Sequence, residues 1–229
     1  MPWKTAEPEP DRNEPLTRAP LLAVLLAASM PALFFLQLRL PDEGIQWAFY
    51  PVDLEAGRLG GLFAAMLLHG GWVHAVMNAV AALAFGTPLV RALNGRSGVV
   101  LFLALYIVCG VLSTLGYGLL HLNSDLPMVG ASGAVFGLIG ATTRLIAGGP
   151  VVAPLTNRNV LVTSAAWMGV NLVTGLLGIG AGVEGARIAW EAHAFGFITG
   201  LLLVEPLMWL HGIAQRRFDS GAGWGDPPY

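Results

Sequence analysis

Residues 130–147 read GASGAVFGLIGATTRLIA, and this stretch decides the fold. It is apolar enough for a membrane helix, yet a serine stands near its start and an arginine near its end. The preceding HLNSDLPMVGA, at 121–131, carries Pro127 and Gly130 and reads as a loop. Ser132 is the natural helix start, serine being a good N-cap, and Arg144 is expected to snorkel at the cytoplasmic edge. Twelve steps separate the two, about 18 Å at the helical rise, whereas the hydrocarbon core is about 30 Å thick. The helix is therefore expected to begin inside the bilayer. Its first N–H groups have no helical partner, and non-helical backbone at that depth is tolerated only beside protein or a water-filled cavity. The expectation is an aqueous pocket opening outward, with a hydroxyl at its floor and a helix N-terminus that favours developing negative charge.

Working outward, the whole chain has this character. Of 229 residues, 55% are hydrophobic and 11% charged, against about 25% charged in soluble domains; the mean hydropathy is +0.66. Apolar runs lie at about 19–38, 60–85, 98–120, 131–147, 160–180 and 189–211, and about 20 residues span a bilayer. The fold expected is all-α: a polytopic six-helix membrane bundle over 19–212 whose fourth helix is short. Residues 1–18 and 213–229 are polar and Pro- or Gly-rich and are expected to be disordered tails. The run 19–38 reads as a retained first helix, because its acidic, Pro-rich leader is a poor signal-peptide n-region. Six spans put both tails on one side, with Lys4, Arg12, Arg18, Arg91, Arg96, Arg144, Arg158, Arg216 and Arg217; Arg39, Arg58 and Arg187 fall on the other. By the positive-inside bias the termini are cytoplasmic, and loops 39–59, 121–130 and 181–188 face outward. A net charge of −2 without a dense basic run argues against nucleic acid as a partner. Cys109 is the only cysteine, which excludes an internal disulfide and a Cys-based metal site. It reads as a small apolar helix residue.

Polar side chains inside spans are costly and tend to be functional. They are few. His74 and Asn78, in HGGWVHAVMN, are four apart on one helical face; His193 stands in EAHAFGFITG near the start of the sixth span; Asn171, Thr142, Thr143 and Glu205 complete the set with Ser132. A serine hydroxyl becomes a nucleophile when a base, usually histidine, lies beside it, and acyl transfer needs donors for the oxyanion. Ser132 and His193 supply a dyad; His74, Asn78 and the Ser132 backbone N–H supply the donors. Glu191 falls on another face from His193 and Asp125 in a loop, so a dyad is simpler than a triad. Three histidines without HExxH or a paired carboxylate make a poor metal site, and no cofactor is called for. GASGA is not the soluble hydrolase elbow, since Ala134 replaces its last glycine and no strand precedes it. Gly133 and Gly137 form one GxxxG face and Gly196 and Gly200 another; pressed together they would bring His193 to Ser132. His69 reads as an interfacial polar residue.

These residues resemble the rhomboid family of intramembrane serine proteases. GASGAVFGLIG at 130–140 is similar to its GxSG nucleophile motif, HAVMN at 74–78 to its HxxxN motif, and AHAFGFITG at 192–200 to its AHxxGxxxG motif. The spacings, 58 residues from His74 to Ser132 and 61 from Ser132 to His193, fit the compact six-span bacterial form, and the resemblance covers roughly 55–211. It implies a Ser132–His193 dyad in a bacterial inner membrane, with a pocket open to the extracytoplasmic side and transmembrane-helix proteins as substrates. It also implies a rigid membrane-embedded first outer loop and a mobile cap between the fifth and sixth helices. Phe136 fills the aromatic position one turn after the nucleophile, under His193. The family's Trp-Arg pair in the first loop is replaced by Gly57-Arg58, which leaves the loop's anchoring open.

Two other readings compete. A catalytically silent relative that binds membrane proteins would be marked by loss of the serine or histidine, and both are present. A small transporter would use polar residues and broken helices inside the membrane, but the two halves share no internal repeat. No residue pattern sets an oligomeric state.

Overall fold

Each apolar run folds as a helix. The computed structural model describes residues 19–149, 151–178 and 189–219. Its main helices are α1 (Leu21–Gln37), α2 (Trp72–Ala92), α3 (Gly95–Leu120), α4 (Ser132–Gly148), α5 (Arg158–Leu177) and α6 (Trp190–Asp219). No strand occurs among the described residues, only an isolated bridge between Phe49 and Met128. By length and composition α2, α3, α5 and α6 are able to cross a membrane; α1 and α4 are apolar helices of 17 residues each.

Four boundaries differ from the expected runs, the first being that the second run's helix continues to Ala92, beyond its expected end at about 85. The second run begins helical only at Trp72, because Gly70 and Gly71 break it; its first part forms a single helical turn, Gly61–Ala64, and a 3-10 turn, Ala65–Leu67. The sixth helix continues to Asp219, beyond the apolar run's end at 211. Ser132 is the first helical residue rather than the cap, which is Ala131 with no side-chain bond. Residues 1–18 and 220–229, expected as tails, lie outside the described residues, as do residues 179–188, which hold the loop expected to cap the site.

The short α4 is the axis of the bundle. From Gly133 to Arg144 every residue but Phe136 is buried, the pattern of a helix enclosed on all sides. It packs most extensively on α6, then on α3 and α2. The approach to α6 is backbone on backbone. A Cβ at Gly196 would lie 2.0 Å from the Gly133 carbonyl oxygen, and one at Gly200 only 1.8 Å from that of Gly137, so glycine is required at both. On the α3 side, the free thiol of Cys109 is buried against Gly137. In contrast, α5 buries only Val160 and Asn171 among its 20 residues.

Arg144 does not snorkel. It is 2% exposed and donates to the carbonyls of Ala153 and Leu201, both at 2.7 Å, and to Glu205 at 2.6 Å. These groups come from the loop after α4 and from α6, so one guanidinium ties the end of a buried helix to both of them through charge-assisted bonds. Lysine has no planar fork to reproduce this. Arg144→Lys should lower stability by roughly 1–3 kcal/mol, read as an earlier thermal unfolding in detergent.

The first outer loop is anchored without a tryptophan. Phe49 is fully buried with Leu62 and Ala65, packed by Leu54, Val111 and Leu115. Its backbone exchanges two hydrogen bonds with Met128, at 3.0 and 2.8 Å. Arg58 pairs with Asp53 within the same loop and stays exposed.

Candidate active site

The segment that leads into α4 is shaped by one glycine. Gly130 has φ +129°, in the left-handed region open to glycine, and its N–H donates to the Ala65 carbonyl at 2.8 Å. A Cβ there would lie 2.6 Å from Cε1 of His74. This close approach sets the His74 ring beside the start of α4. The first ladder bond of α4 runs from Val135 N–H to the Ala131 carbonyl, so the N–H groups of Ser132, Gly133 and Ala134 precede the ladder.

Ser132 and His193 meet. Ser132 Oγ lies 2.8 Å from His193 Nε2, across the α4–α6 seam where the glycine faces interlock. Ser113 Oγ donates to the Ala192 carbonyl at 2.7 Å, which binds the start of α6 to α3. Phe136, one turn after Ser132, stacks on the His193 ring with centroids 4.3 Å apart and planes inclined by 6°. Both Ser132 and His193 are half-buried, so the pair is within reach of a ligand.

His74 is half-buried and accepts a long bond, 3.4 Å, from the Gly70 N–H at Nδ1. Asn78, one turn along α2, is buried, and its Nδ2 has no hydrogen-bond partner among the described residues. A buried amide donor left unpaired is costly unless a ligand or water takes it. His69 is enclosed by protein, at 1% exposed. Gln37 clamps its backbone, donating to the His69 carbonyl at 2.9 Å and accepting from its N–H at 2.8 Å. A cavity of about 440 Å³ opens beside it, with Leu68, Gly70 and Val129 in its wall. Ser132 and His193 are not among its lining residues.

One residue at the site has no role in the sequence reading. Asn171 of α5 places Oδ1 2.9 Å from His193 Nδ1, and its Nδ2 donates to the Trp190 carbonyl at 2.8 Å. It was visible as a polar residue inside a span, but its helical face was not. Glu191 lies 3.5 Å from His121, turned away from His193 as its spacing predicts.

The family model of the Rhomboid domain matches residues 56–209. Over 184 residues the chain is 29% identical to RHOMBOID-like protein 5 of Arabidopsis thaliana, covering 79% of this chain and 51% of that protein. It is 27% identical to the rhomboid protease GluP of Bacillus subtilis, over 67% of this chain and 27% of GluP. It is 26% identical to YdcA of the same bacterium, over 67% of this chain and 70% of YdcA. The chain thus spans about half of the plant relative and about a quarter of GluP. A domain match across most of the sequence and an all-helical apolar bundle lead to one assignment: the chain belongs to the rhomboid family and is an integral multi-pass membrane protein.

Proposed function

We propose that the chain is an intramembrane serine endopeptidase that hydrolyses peptide bonds in or near the transmembrane helices of membrane-protein substrates. The observation that carries this reading is the 2.8 Å contact between Ser132 Oγ and His193 Nε2 on two interlocked helices. In the reaction, Ser132 Oγ attacks the scissile carbonyl while Nε2 takes its proton. The imidazolium then gives that proton to the leaving amine, and an acyl-enzyme remains for water to hydrolyse by the reverse transfers. The oxyanion is received by the Ser132 N–H, His74 and the unpartnered Nδ2 of Asn78. Phe136 holds the imidazole plane. The site opens to the extracytoplasmic side, and the ends of α1 and α6 near Arg18 and Arg216 are cytoplasmic, on the Lys and Arg asymmetry.

The test is purified protein in liposomes with a single-span reporter, together with a fluorophosphonate probe. Cleavage and a covalent adduct mapped to Ser132 are expected. Folded protein that captures the reporter intact and takes up no probe would replace this reading with that of a silent membrane-protein-binding relative. Gly130→Ala offers a graded check. It forces alanine into a left-handed conformation and drives a methyl into His74. Turnover should fall on the order of 10²-fold, the effect of misplacing a catalytic group, with the protein still folded.

A further inference from the structure

The spanning helix with the smallest buried share contributes a side chain to the candidate site. Apart from Val160 near its start, Asn171 is the only buried residue of α5. A helix facing lipid gains nothing by burying an amide, which must find partners at both ends. Asn171 does so: Nδ2 donates to the Trp190 carbonyl at 2.8 Å, and Oδ1 lies 2.9 Å from His193 Nδ1. The first bond fixes the orientation of the amide, because a carbonyl can only accept. The end that faces His193 is therefore the oxygen, which also only accepts, so Nδ1 carries the proton. A neutral imidazole has one N–H, hence Nε2 is bare, and it is the nitrogen 2.8 Å from Ser132 Oγ.

We propose that Asn171 is a positioning residue for His193. It holds the tautomer and ring orientation that let Nε2 take the Ser132 proton, and it makes the base depend on the seating of α5 against α6. This rests on the protease reading above. The contact between the two helices is close at this level. One turn beyond Asn171, a Cβ at Gly175 would lie 2.5 Å from Cβ and 2.7 Å from Cγ of Trp190. An outward displacement of α5 withdraws the acceptor from Nδ1 and leaves the ring held by the Phe136 stack and the Ser132 contact, neither of which fixes the proton on Nδ1.

Michaelis parameters for a single-span reporter test this with three substitutions, each checked for thermal unfolding in detergent. Asn171→Leu keeps the size and removes both bonds; kcat should fall on the order of 10²-fold with KM little changed. Asn171→Ala serves the same comparison if the leucine variant is not recovered folded. Asn171→Asp keeps the acceptor and loses the donor, and should return kcat to within about tenfold of wild type, a factor of about 1.4 kcal/mol in barrier. Gly175→Val leaves Asn171 intact but pushes α5 away from Trp190; kcat should drop, with little further loss when combined with Asn171→Leu. An aspartate variant as slow as the leucine one would assign the effect to the Trp190 bond and overturn the positioning role. So would unchanged kcat in Asn171→Leu, while unchanged kcat in Gly175→Val would overturn the dependence on α5. Wild-type protein that fails to cleave above the Ser132→Ala background would instead count against the protease reading itself.

Discussion

Ser132→Ala should reduce reporter cleavage to background, a loss of about 10⁴-fold or more, as is typical when a serine nucleophile is removed. The fold should survive, since among the described residues the hydroxyl hydrogen-bonds only to the half-buried His193 and does not cap α4. His193→Ala should cost about as much. The double variant should be no slower than either single one, because the two side chains act as a unit and what remains comes from binding and the oxyanion donors. Additive losses would mean that each residue works alone, and the transfer of a proton between them would have to be abandoned. Fluorophosphonate labelling gives a second, independent readout. It should vanish in Ser132→Ala and fall steeply in His193→Ala, where the serine is present but has lost its base.

Gly200→Ala should give the largest structural effect of a single methyl group. That methyl would lie 1.8 Å from the carbonyl oxygen of Gly137, 2.6 Å from its carbon and 2.9 Å from its Cα. All three are backbone atoms of a buried helix, so no rotamer change relieves the overlap and α6 must move away from α4. Such overpacking costs about 3 kcal/mol or more. The same displacement pulls His193 from Ser132, two turns away on the same helix. Unfolding temperature and turnover should therefore fall together. Gly169→Ala is the control, because nothing lies within 4 Å of its Cβ position; it should be neutral or stabilising by up to about 1 kcal/mol. Equal behaviour of the two variants would show that the α4–α6 seam yields far more easily than its geometry implies.

What was legible in the sequence follows from the cost of polar groups in lipid. Ser132, His74, Asn78 and His193 stood out because so few polar residues interrupt the apolar runs. The glycine faces beside Ser132 and His193 indicated which two helices touch. Hydropathy gave no direction around a helix, since lipid and protein interior are equally apolar. For that reason Asn171 could be seen but not assigned, although it touches His193 from a helix that ends at Leu177, 16 residues before that histidine. Arg144 misled for a related reason. Its partners Leu201 and Glu205 lie 57 and 61 residues away, and a lone arginine near the end of a span reads the same whether it reaches water or a buried carbonyl. The start of α2 was misjudged because the helical turns before Gly70 are as apolar as the helix itself, and only the glycine pair marks the change. The first loop's anchor was hidden because its work is done by Phe49, eight residues before the expected Trp-Arg position at 57–58.

The seclusion of Cys109 opens a spectroscopic route to α5. Its thiol is fully enclosed, so maleimide and nitroxide reagents should pass the native chain by, and the cysteine need not be deleted from its tight seat against Gly137. A single cysteine placed at the lipid-facing Leu172 or Leu176 would then be the sole labelled point. Its spectrum could follow the swing of that helix while turnover is measured on the same sample.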